Sequence, residues 1–412
     1  ISNKIQKTLV NPYFKNSVMN RKDSGAIILG GHIQALGIIR SLGSRKIPIF
    51  LAQSEVISVG MFSKYVNYTC LSPSENNTDS YLNFLIELST ERKLTGWTIY
   101  PTNDQQVAII SKNFKLLSFH FKFSTPDWDV TKKLINKKRT YKFASAIDIE
   151  QPYTWFPQNA KELIKKSKEI DYPVIIKPAI MHLFFNKTKK KAILCKNRFE
   201  LLRNYKKVLT LIPKNQIMIQ DYIPGGSDNL YSFCSLQIED QSFYPLVAKR
   251  TRQHPIDFGS GTTFAKSTIN KKLQNISNRL LSELKYTGVS EVEFKKDPRD
   301  GSMKFLEVNA RTWKWHTIGK EVGFDYSYQT FLHLNNISIP NVLTQPKTPL
   351  SWIHLSTDLF VFVQLLKRKM IDFKRYIHSI KGEKLSFANI SFSDPLPFIL
   401  EILLLPYLVL KR

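Results

Sequence analysis

The sequence predicts a mixed fold, in which an open α/β domain with a parallel sheet precedes an α+β module and a helical C-terminal segment. Near the start, an apolar run leads through two glycines into a helical pattern and then into a second apolar run. Much later, two apolar strands flank a polar turn at residues 297–301, which is typical of an antiparallel hairpin. The length of 412 residues suits two or three domains with sizeable cores.

The first pattern is a βαβ unit. Ala26-Ile27-Ile28-Leu29 is an apolar run that ends in Gly30-Gly31, and apolar residues at helical spacing lead to a second run over residues 47–51. A strand, a tight turn, a helix and a strand in this order predict a parallel sheet. Residues 97–100 are expected to form a later strand, and Asp104 is expected to cap the helix that follows it.

The second module combines helices with strands that pair antiparallel. We expect helices over residues 131–145, 159–170 and 273–284, and strands over 174–178, 216–220, 289–294 and 304–308. The predicted organisation is a basic tail over 1–24, the α/β domain over 25–123, the α+β module over 124–334, and a basic, partly apolar helical segment over 335–412.

Charge and composition limit the function classes. The chain has 60 Lys and Arg against 33 Asp and Glu, a net charge of +27, and 42% of its residues are hydrophobic. The apolar content excludes a disordered chain, and the positive charge indicates acidic partners: nucleotide phosphates, nucleic acid, an anionic membrane or an acidic substrate. Three cysteines without a Cys-x-x-Cys pair indicate neither a zinc ribbon nor a disulfide framework, and they suit a reducing cytosol.

The C-terminal segment has an apolar end. No secretory leader is expected from residues 1–20, and no uninterrupted apolar run reaches the roughly 18 residues that span a membrane. The nearest approach is residues 396–410, which Glu401 and Pro406 interrupt. Because basic residues precede this run, a helix that lies on an anionic membrane and a helix that packs on the core both remain open.

Two acidic strands carry the strongest chemical pattern. Glu291 and Glu293 share one strand face, as do Glu307, Asn309 and Arg311 on the next strand. A hairpin would bring these faces together, and two carboxylates with an amide oxygen make a site for Mg²⁺. The alternative is an exposed acidic hairpin edge, and the spacing alone does not separate the two.

Two lysines and a turn are weaker signals when taken singly. Lys177 ends a buried apolar strand, where it needs either an anionic partner or a path to solvent. Lys137 opens a basic helix and by itself indicates only a solvated helix face. Residues 220–225 form a strand end and turn whose backbone could bind a flat heterocycle, or they form an ordinary Pro-Gly turn.

Together and in this order, these elements resemble the ATP-grasp fold, in the branch of carboxylate–amine ligases similar to biotin carboxylase and carbamoyl phosphate synthetase. The resemblance covers about residues 25–334, including the α/β domain that precedes the grasp module. Its motifs are Asn136-Lys137-Lys138-Arg139, Pro173-Val174-Ile175-Ile176-Lys177-Pro178, Ile219-Gln220-Asp221-Tyr222-Ile223-Pro224-Gly225, Glu293, and Glu307-Val308-Asn309-Ala310-Arg311. The implied fold is an open parallel-sheet domain, a two-subdomain ATP-grasp module and a helical C-terminal segment.

The resemblance implies how ATP would be bound. The phosphates would be held by Lys137 and Lys177. The adenine would be held by Gln220 and by the backbone of Asp221 and Ile223. Asp228, in the acidic position after this hinge, would lie near the ribose.

The resemblance also implies which residues bind the metal and which lie near the substrate. Glu293, Glu307 and Asn309 would ligate Mg²⁺ or Mn²⁺. Arg311 would stabilise the transferring phosphoryl group or the acyl phosphate, with Arg250 as a second catalytic arginine. Lys249 and Arg252, near the loop over residues 258–261, would lie toward the substrate, and His32 and Asp104 could contribute to the acceptor pocket.

The sequence departs from the family pattern in three places. The phosphate loop after the second lysine is usually rich in glycine, but residues 179–185 contain none, so charge from residues 187–191 would replace its backbone donors. Asn136 stands where an acid usually precedes the first lysine. Ala310 stands where proline is usual, and it carries no ligand atom.

The implied activity is an ATP- and Mg²⁺-dependent ligase that joins a small-molecule carboxylate to an amine through an acyl phosphate, as D-aspartate ligases and other cell-envelope ligases do. The alternative is a basic protein with a degenerate ATP-grasp fold that binds nucleic acid or a membrane surface, although no nucleic-acid motif is present. We expect no specific nucleic-acid partner and a cytoplasmic location, with a peripheral contact at the inner membrane face left open. The oligomeric state does not follow from the sequence.

Overall fold

The computed structural model describes residues 24–188, 190–259, 261–381 and 384–410, with the backbone alone at residues 182, 186 and 404–410. The predicted tail over residues 1–24 therefore lies outside the described residues except for its last position. Ser260 of the predicted substrate loop, Lys189, and the terminal Lys411 and Arg412 also lie outside them.

The N-terminal part contains a four-stranded parallel sheet, as predicted. Its strands run in the spatial order β3-β2-β1-β4 and are β1 (Ala26–Leu29), β2 (Ile49–Gln53), β3 (Tyr68–Leu71) and β4 (Thr98–Tyr100). Its helices are α1 (Ile33–Gly43), α2 (Thr78–Thr90), α3 (Asp104–Lys112) and α4 (Phe114–Ser118). Gly30 makes the tight turn after β1 with a φ of 94°, where a residue without a Cβ is favoured.

Two short helices replace the single helix predicted over residues 131–145. They are α5 (Trp128–Ile135) and α6 (Lys137–Ala146), and Asn136 lies between them. Asn136 has an extended backbone, and its side chain accepts a hydrogen bond from the Lys138 amide. An N-cap of this kind begins a new helix, so the prediction of one continuous helix is wrong and α6 begins at Lys137.

A small antiparallel sheet follows. Its strands lie in the order β5-β8-β6-β7 and are β5 (Thr154–Trp155), β6 (Val174–Pro178), β7 (Ile193–Cys195) and β8 (Ile217–Asp221). Three helices accompany it: α7 (Ala160–Lys166), α8 (Met181–Thr188) and α9 (Arg198–Leu209). An apolar cluster that includes Val174, Phe184 and Leu201 fills the space between this sheet and its helices.

The largest sheet has seven strands. In chain order they are β9 (Leu230–Ile238), β10 (Gln241–His254), β11 (Gly261–Ser267), β12 (Gly288–Lys296), β13 (Met303–Asn309), β14 (Leu350–Ile353) and β15 (Lys384–Phe387). Their spatial order is β13-β12-β9-β10-β11-β14-β15, and every pair is antiparallel except β14 with β15. The C-terminal segment thus adds two strands to this sheet as well as helices.

The remaining helices are α10 (Lys271–Glu283), α11 (Tyr326–Leu334), α12 (Leu355–Lys367), α13 (Phe373–Ile380) and α14 (Leu396–Leu410). Within the described part of the chain, none of the helices is long and apolar enough to cross a membrane. The predicted fold class is confirmed, because a parallel-sheet domain precedes two further sheets with helices. The boundaries proposed for the domains stay a prediction.

Candidate active site

The hairpin of β12 and β13 brings the two acidic faces together. Glu291 lies opposite Asn309 and Glu293 lies opposite Glu307 in the ladder. The Asn309 amide donates hydrogen bonds to both Glu291 (2.9 Å) and Glu293 (3.0 Å). Glu291 and Glu293 are only 2% and 8% exposed, so the alternative of an exposed acidic hairpin edge is wrong for this face.

Two buried cations face these carboxylates. The Arg250 guanidinium donates to Glu293 at 2.9 Å and lies 3.9 Å from Glu291. Lys137, at the first turn of α6, forms an ion pair with Glu307 and is 6% exposed. Lys137 therefore belongs to the site, and a solvated helix face is excluded for it.

The charged groups in this cluster shift one another's pKa values. Burial alone would raise the pKa of Glu307, but the ammonium groups of Lys137 and Lys191 hold that pKa well below its usual range. Burial and the adjacent Glu293 carboxylate raise the pKa of Glu291 to about 7, against the opposing effect of Arg250. Glu307 is thus held ionised beside the lysines, whereas Glu291 lies deeper and takes up a proton more readily.

Lys177 and Gln220 lie on neighbouring strands of the small sheet. The Lys177 ammonium lies 3.3 Å from the Gln220 side-chain oxygen. The Gln220 amide nitrogen donates to the hydroxyls of Tyr141 (3.0 Å) and Thr154 (2.8 Å). Burial and the nearby Lys137 lower the pKa of Lys177 to about 7. Gln220 therefore orients Lys177, the candidate phosphate-binding residue. The predicted contact of Gln220 with adenine stays a prediction.

The segment after β8 is the predicted adenine hinge. Here the carbonyl oxygens of Ile223 and Gly225 accept hydrogen bonds from the Lys295 ammonium, at 2.8 and 2.9 Å. Asp221 ends β8, and its pKa is raised by burial. Asp228 follows in a 3₁₀ turn over Ser227–Asn229. Their predicted roles toward adenine and ribose stay predictions.

Arg311 connects the hairpin to the N-terminal domain. Its guanidinium donates to the Asp104 carboxylate at 2.8 Å and approaches the Asn309 oxygen at 3.5 Å. Asn103, and not Asp104, caps α3 through a capping box with Gln106, so the predicted capping role of Asp104 is wrong by one residue. Sequence reasoning did not find the Asp104 contact with Arg311, because the two residues are 207 positions apart.

The glycine turn of the first domain lies beside this connection. His32 follows Gly31, and its Nε2 atom lies 3.3 Å from the Thr102 hydroxyl, two residues before Asp104. The side chain of His32 is exposed. The predicted contribution of this turn to an acceptor pocket stays a prediction.

The prediction that Arg252 faces the substrate is wrong. Its guanidinium is held by the buried Asp358 carboxylate, with nitrogen–oxygen distances of 2.8 to 3.1 Å. The cause is a register shift in β10, since Arg250 pairs with Ala265 but Arg252 pairs with Phe264, the preceding residue of β11. Such a bulge changes the face on which the next side chain lies. Lys249 lies 5.9 Å from the Tyr231 ring, and its substrate contact stays a prediction.

The donor set fits a magnesium ion that also binds substrate phosphates. Among the residues that the structure describes, no three His, Cys, Asp or Glu side chains converge as a metal cluster. Glu293 and Glu307 nevertheless face each other, with Asn309 beside them. Mg²⁺ is usually held by one or two carboxylates together with substrate phosphates, rather than by an all-protein cage. The assignment of these three residues as ligands stays a prediction.

Comparisons with known proteins give one sequence relative and several structures. The chain is 24% identical over 312 residues to the D-aspartate ligase of Enterococcus faecium (strain Aus0004), a match that covers 72% of this chain and 73% of the relative. No family model matches the sequence.

The structural neighbours share the fold at low identity. The biotin carboxylase domain of 2-oxoglutarate carboxylase from Hydrogenobacter thermophilus, solved with MgADP, has a TM-score of 0.63 and 15% identity, over 79% of this chain and 73% of that one. L-amino acid ligase from Bacillus licheniformis has a TM-score of 0.59 and 13% identity, over 76% and 75%. N5-carboxyaminoimidazole synthetase from Staphylococcus aureus has a TM-score of 0.59 and 14% identity, over 86% of both chains.

The predicted resemblance is therefore confirmed. The chain shares its fold with these structures, which is the ATP-grasp fold of the predicted resemblance, and its sequence relative is named a D-aspartate ligase. The likeness to the solved structures shows the fold, and the name of the sequence relative is the basis for the ligase activity proposed below.

Proposed function

We propose that this protein is an ATP- and Mg²⁺-dependent ligase that joins the carboxylate of an amino acid to an amine. The observation that carries the proposal is the pairing of Glu293 with Glu307 in one ladder, with Lys137 and Arg250 bound to them. Opposed carboxylates beside buried cations suit the binding of a nucleoside triphosphate with its metal ion. They suit a nucleic-acid-binding surface less well, because the basic groups of such a surface are exposed.

In this proposal, residues of α6, of the small sheet and of the seven-stranded sheet position the triphosphate. Lys137 and Lys177 bind its phosphate oxygens, and Gln220 orients Lys177 through the hydrogen bond at 3.3 Å. Glu293, Glu307 and Asn309 hold Mg²⁺, which when bound neutralises charge on the phosphates. Because phosphoryl transfer depends mainly on positioning and electrostatic stabilisation, these contacts account for most of the catalysis expected.

The reaction has two steps. A substrate carboxylate oxygen attacks the γ-phosphorus, the bond to the β-phosphate oxygen breaks, and ADP leaves. The amine nitrogen then attacks the acyl carbon, phosphate departs with the oxygen that linked it, and the nitrogen loses a proton to give the amide. Arg311, which is held by Asp104, stabilises the acyl phosphate in this proposal. Arg250, which is bound to Glu293, is the second catalytic arginine.

The amino-acid substrate follows from the relative, whose name specifies D-aspartate. The test is phosphate release from Mg-ATP with a panel of D- and L-amino acids, each paired with simple amines. We expect release that requires both an acidic amino acid and an amine. Release that is equal with and without the amino acid would contradict the proposed substrate class.

We also propose a peripheral contact of the C-terminal segment with the inner face of an anionic membrane. One face of α14 packs on the protein, where the Glu401 carboxylate lies 2.7 Å from the His354 ring. Over residues 396–403, where the side chains of α14 are described, the opposite face is apolar and exposed, as is the outer face of α12. Their outward side chains are 43% to 69% exposed: Leu359, Phe360, Val363, Leu366, Ile399, Ile402 and Leu403.

Basic side chains lie beside this apolar surface. All are exposed, and they end α12, follow it or lie in α13: Lys367, Arg368, Lys369, Lys374 and Arg375. An apolar face beside lysines and arginines fits a membrane that contains anionic lipid. The test is co-sedimentation with phosphatidylcholine vesicles, with or without phosphatidylglycerol.

The unaltered chain is expected to pellet with the anionic vesicles, and Leu359→Glu combined with Val363→Glu is expected to abolish pelleting. Phe119→Glu is the matched control, because Phe119 is 81% exposed in the N-terminal domain, and it should pellet normally. Equal pelleting of all three chains would contradict the contact.

A further inference from the structure

The segment that follows Lys177 differs from a glycine-rich phosphate loop. The sequence has no glycine between Gly96 and Gly225, and residues 181–188 form the helix α8. Beyond the first turn of a helix, backbone N–H groups are bonded to carbonyl groups four residues earlier. In this eight-residue helix the last four N–H groups are therefore used within the helix, so fewer backbone donors remain for phosphate than in an extended glycine-rich loop, and side-chain charge can replace them.

Lys191 lies at the right point of the small sheet to supply that charge. In the antiparallel pair of β6 and β7, Ile176 lies opposite Ile193. This is the last pair of the ladder, and Lys191 lies two residues before β7 begins, where the chain reaches the end of β6 that carries Lys177. The Lys191 and Lys177 ammonium groups are close enough to interact electrostatically.

The other described lysines of the segment are directed elsewhere. The Lys187 ammonium donates a hydrogen bond to the Leu211 carbonyl at 2.6 Å. Leu211 lies two residues after the end of α9. Lys190 is exposed, whereas Lys191 is partly buried. The Lys191 ammonium interacts electrostatically with Glu307 and Glu293, and burial lowers the pKa of Lys191. Of the described lysines in residues 187–191, Lys191 alone is tied to the acidic centre.

The basic side chains near Glu293 and Glu307 differ in whether they form ion pairs. Lys137 has Glu307 as its partner and Arg250 has Glu293. Among the ion pairs formed by described residues, none includes Lys177 or Lys191. Cations withdrawn from water without an anion are costly. Glu307, the carboxylate that acts on both Lys177 and Lys191, is already paired with Lys137, so the two lysines fit a polyanion bound between them.

We propose that Lys191 is a third phosphate-binding lysine, which replaces the backbone donors of a glycine-rich loop and contacts the β- or γ-phosphate of ATP. This inference rests on the proposed function, because it assigns a residue to the same nucleotide site. It explains how a segment without glycine serves that site, since a lysine side chain donates three hydrogen bonds from a charged group.

The test compares nucleotides that differ in their phosphates. Binding of Mg-ATP, Mg-ADP and AMP is measured by calorimetry for the unaltered chain, for Lys191→Gln and for Lys191→Arg. A charge-assisted hydrogen bond lost from the phosphates weakens binding by roughly 10- to 100-fold. We expect that loss for Mg-ATP with Lys191→Gln, little change for AMP, and partial retention with Lys191→Arg.

Lys190→Gln is the matched control, because it removes the same charge from the adjacent exposed position. It should leave Mg-ATP binding within about twofold, as expected for a remote, screened charge. Unchanged Mg-ATP binding by Lys191→Gln, or equal losses for AMP and Mg-ATP, overturns the inference while the proposed function stands. Absence of nucleotide binding by the unaltered chain overturns both.

Discussion

The Arg311 guanidinium donates a hydrogen bond to the Asp104 carboxylate at 2.8 Å, and this contact joins the N-terminal domain to the acidic hairpin. Arg311 also approaches Asn309, one of the three metal-ligand candidates. The first turn of α3 therefore fixes an arginine that the reaction is expected to use.

Asp104→Asn tests this connection. The Asp104 side chain is half exposed, so the ion pair adds at most about 1 kcal/mol to stability. Its effect on positioning should be larger, because small displacements of a positioned group reduce rates strongly. We expect kcat/KM for the carboxylate substrate to fall roughly tenfold or more, with Mg-ATP binding unchanged. Asp79→Asn, in the first turn of α2, is the matched control and should have full activity.

The pH dependence of ATP binding tests the environment of Lys177. Burial and Lys137 lower the pKa of Lys177 to about 7, so in the free protein this lysine is mostly neutral above pH 7. A bound phosphate favours the charged form and raises the pKa, so binding must take up a proton. The Kd for Mg-ATP is therefore expected to rise between pH 7 and pH 9, approaching about tenfold per pH unit.

Lys177→Met removes the titrating group, so it should bind Mg-ATP weakly and with a flatter pH profile over the same range. Lys190→Met should keep the profile of the unaltered chain. A profile of the same steepness in Lys177→Met would show that another group takes up the proton.

The ion pair of Arg252 and Asp358 predicts a purely structural effect. Both side chains are buried, and the pair anchors α12 to β10. Removing one partner of a buried pair leaves an uncompensated charge and costs about 3 kcal/mol or more. Asp358→Asn should lower the free energy of unfolding in urea by about that amount. Nucleotide binding by the folded fraction should be unchanged.

The matched control is the exposed pair of Arg368 and Asp257. Exposed ion pairs contribute little to stability, so Asp257→Asn should leave the urea midpoint unaltered. Equal destabilisation by Asp358→Asn and Asp257→Asn would contradict the assignment of Arg252 to a buried anchor.

Local patterns were sufficient to predict the parallel sheet and the acidic hairpin. Alternation along two short strands fixes which side chains share a face, and a polar turn fixes that the strands pair. Glu293 and Glu307 could therefore be placed together from the sequence, and the structure sets them directly opposite each other.

Other features depend on contacts that no local pattern encodes. The burial of Lys137 follows from its pairing with Glu307, 170 positions away. Arg252 leaves the site because of an irregularity between β10 and β11, where it pairs with Phe264 before the earlier register returns at Gln253. The break at Asn136 was readable in principle, since asparagine is a preferred N-cap, but the basic helical pattern on both sides obscured it.

The central claim is that Glu293 and Glu307 hold the metal of an ATP-dependent ligase, and Glu307→Gln tests it most directly. This variant keeps the shape of the side chain and removes the charge that would bind Mg²⁺ and that holds Lys137. Measured as ADP formation with saturating Mg-ATP, amino acid and amine, turnover should fall by about a hundredfold or more. Glu150→Gln, at an exposed carboxylate that pairs with Lys304, should retain turnover. Full ADP formation by Glu307→Gln would contradict the claim.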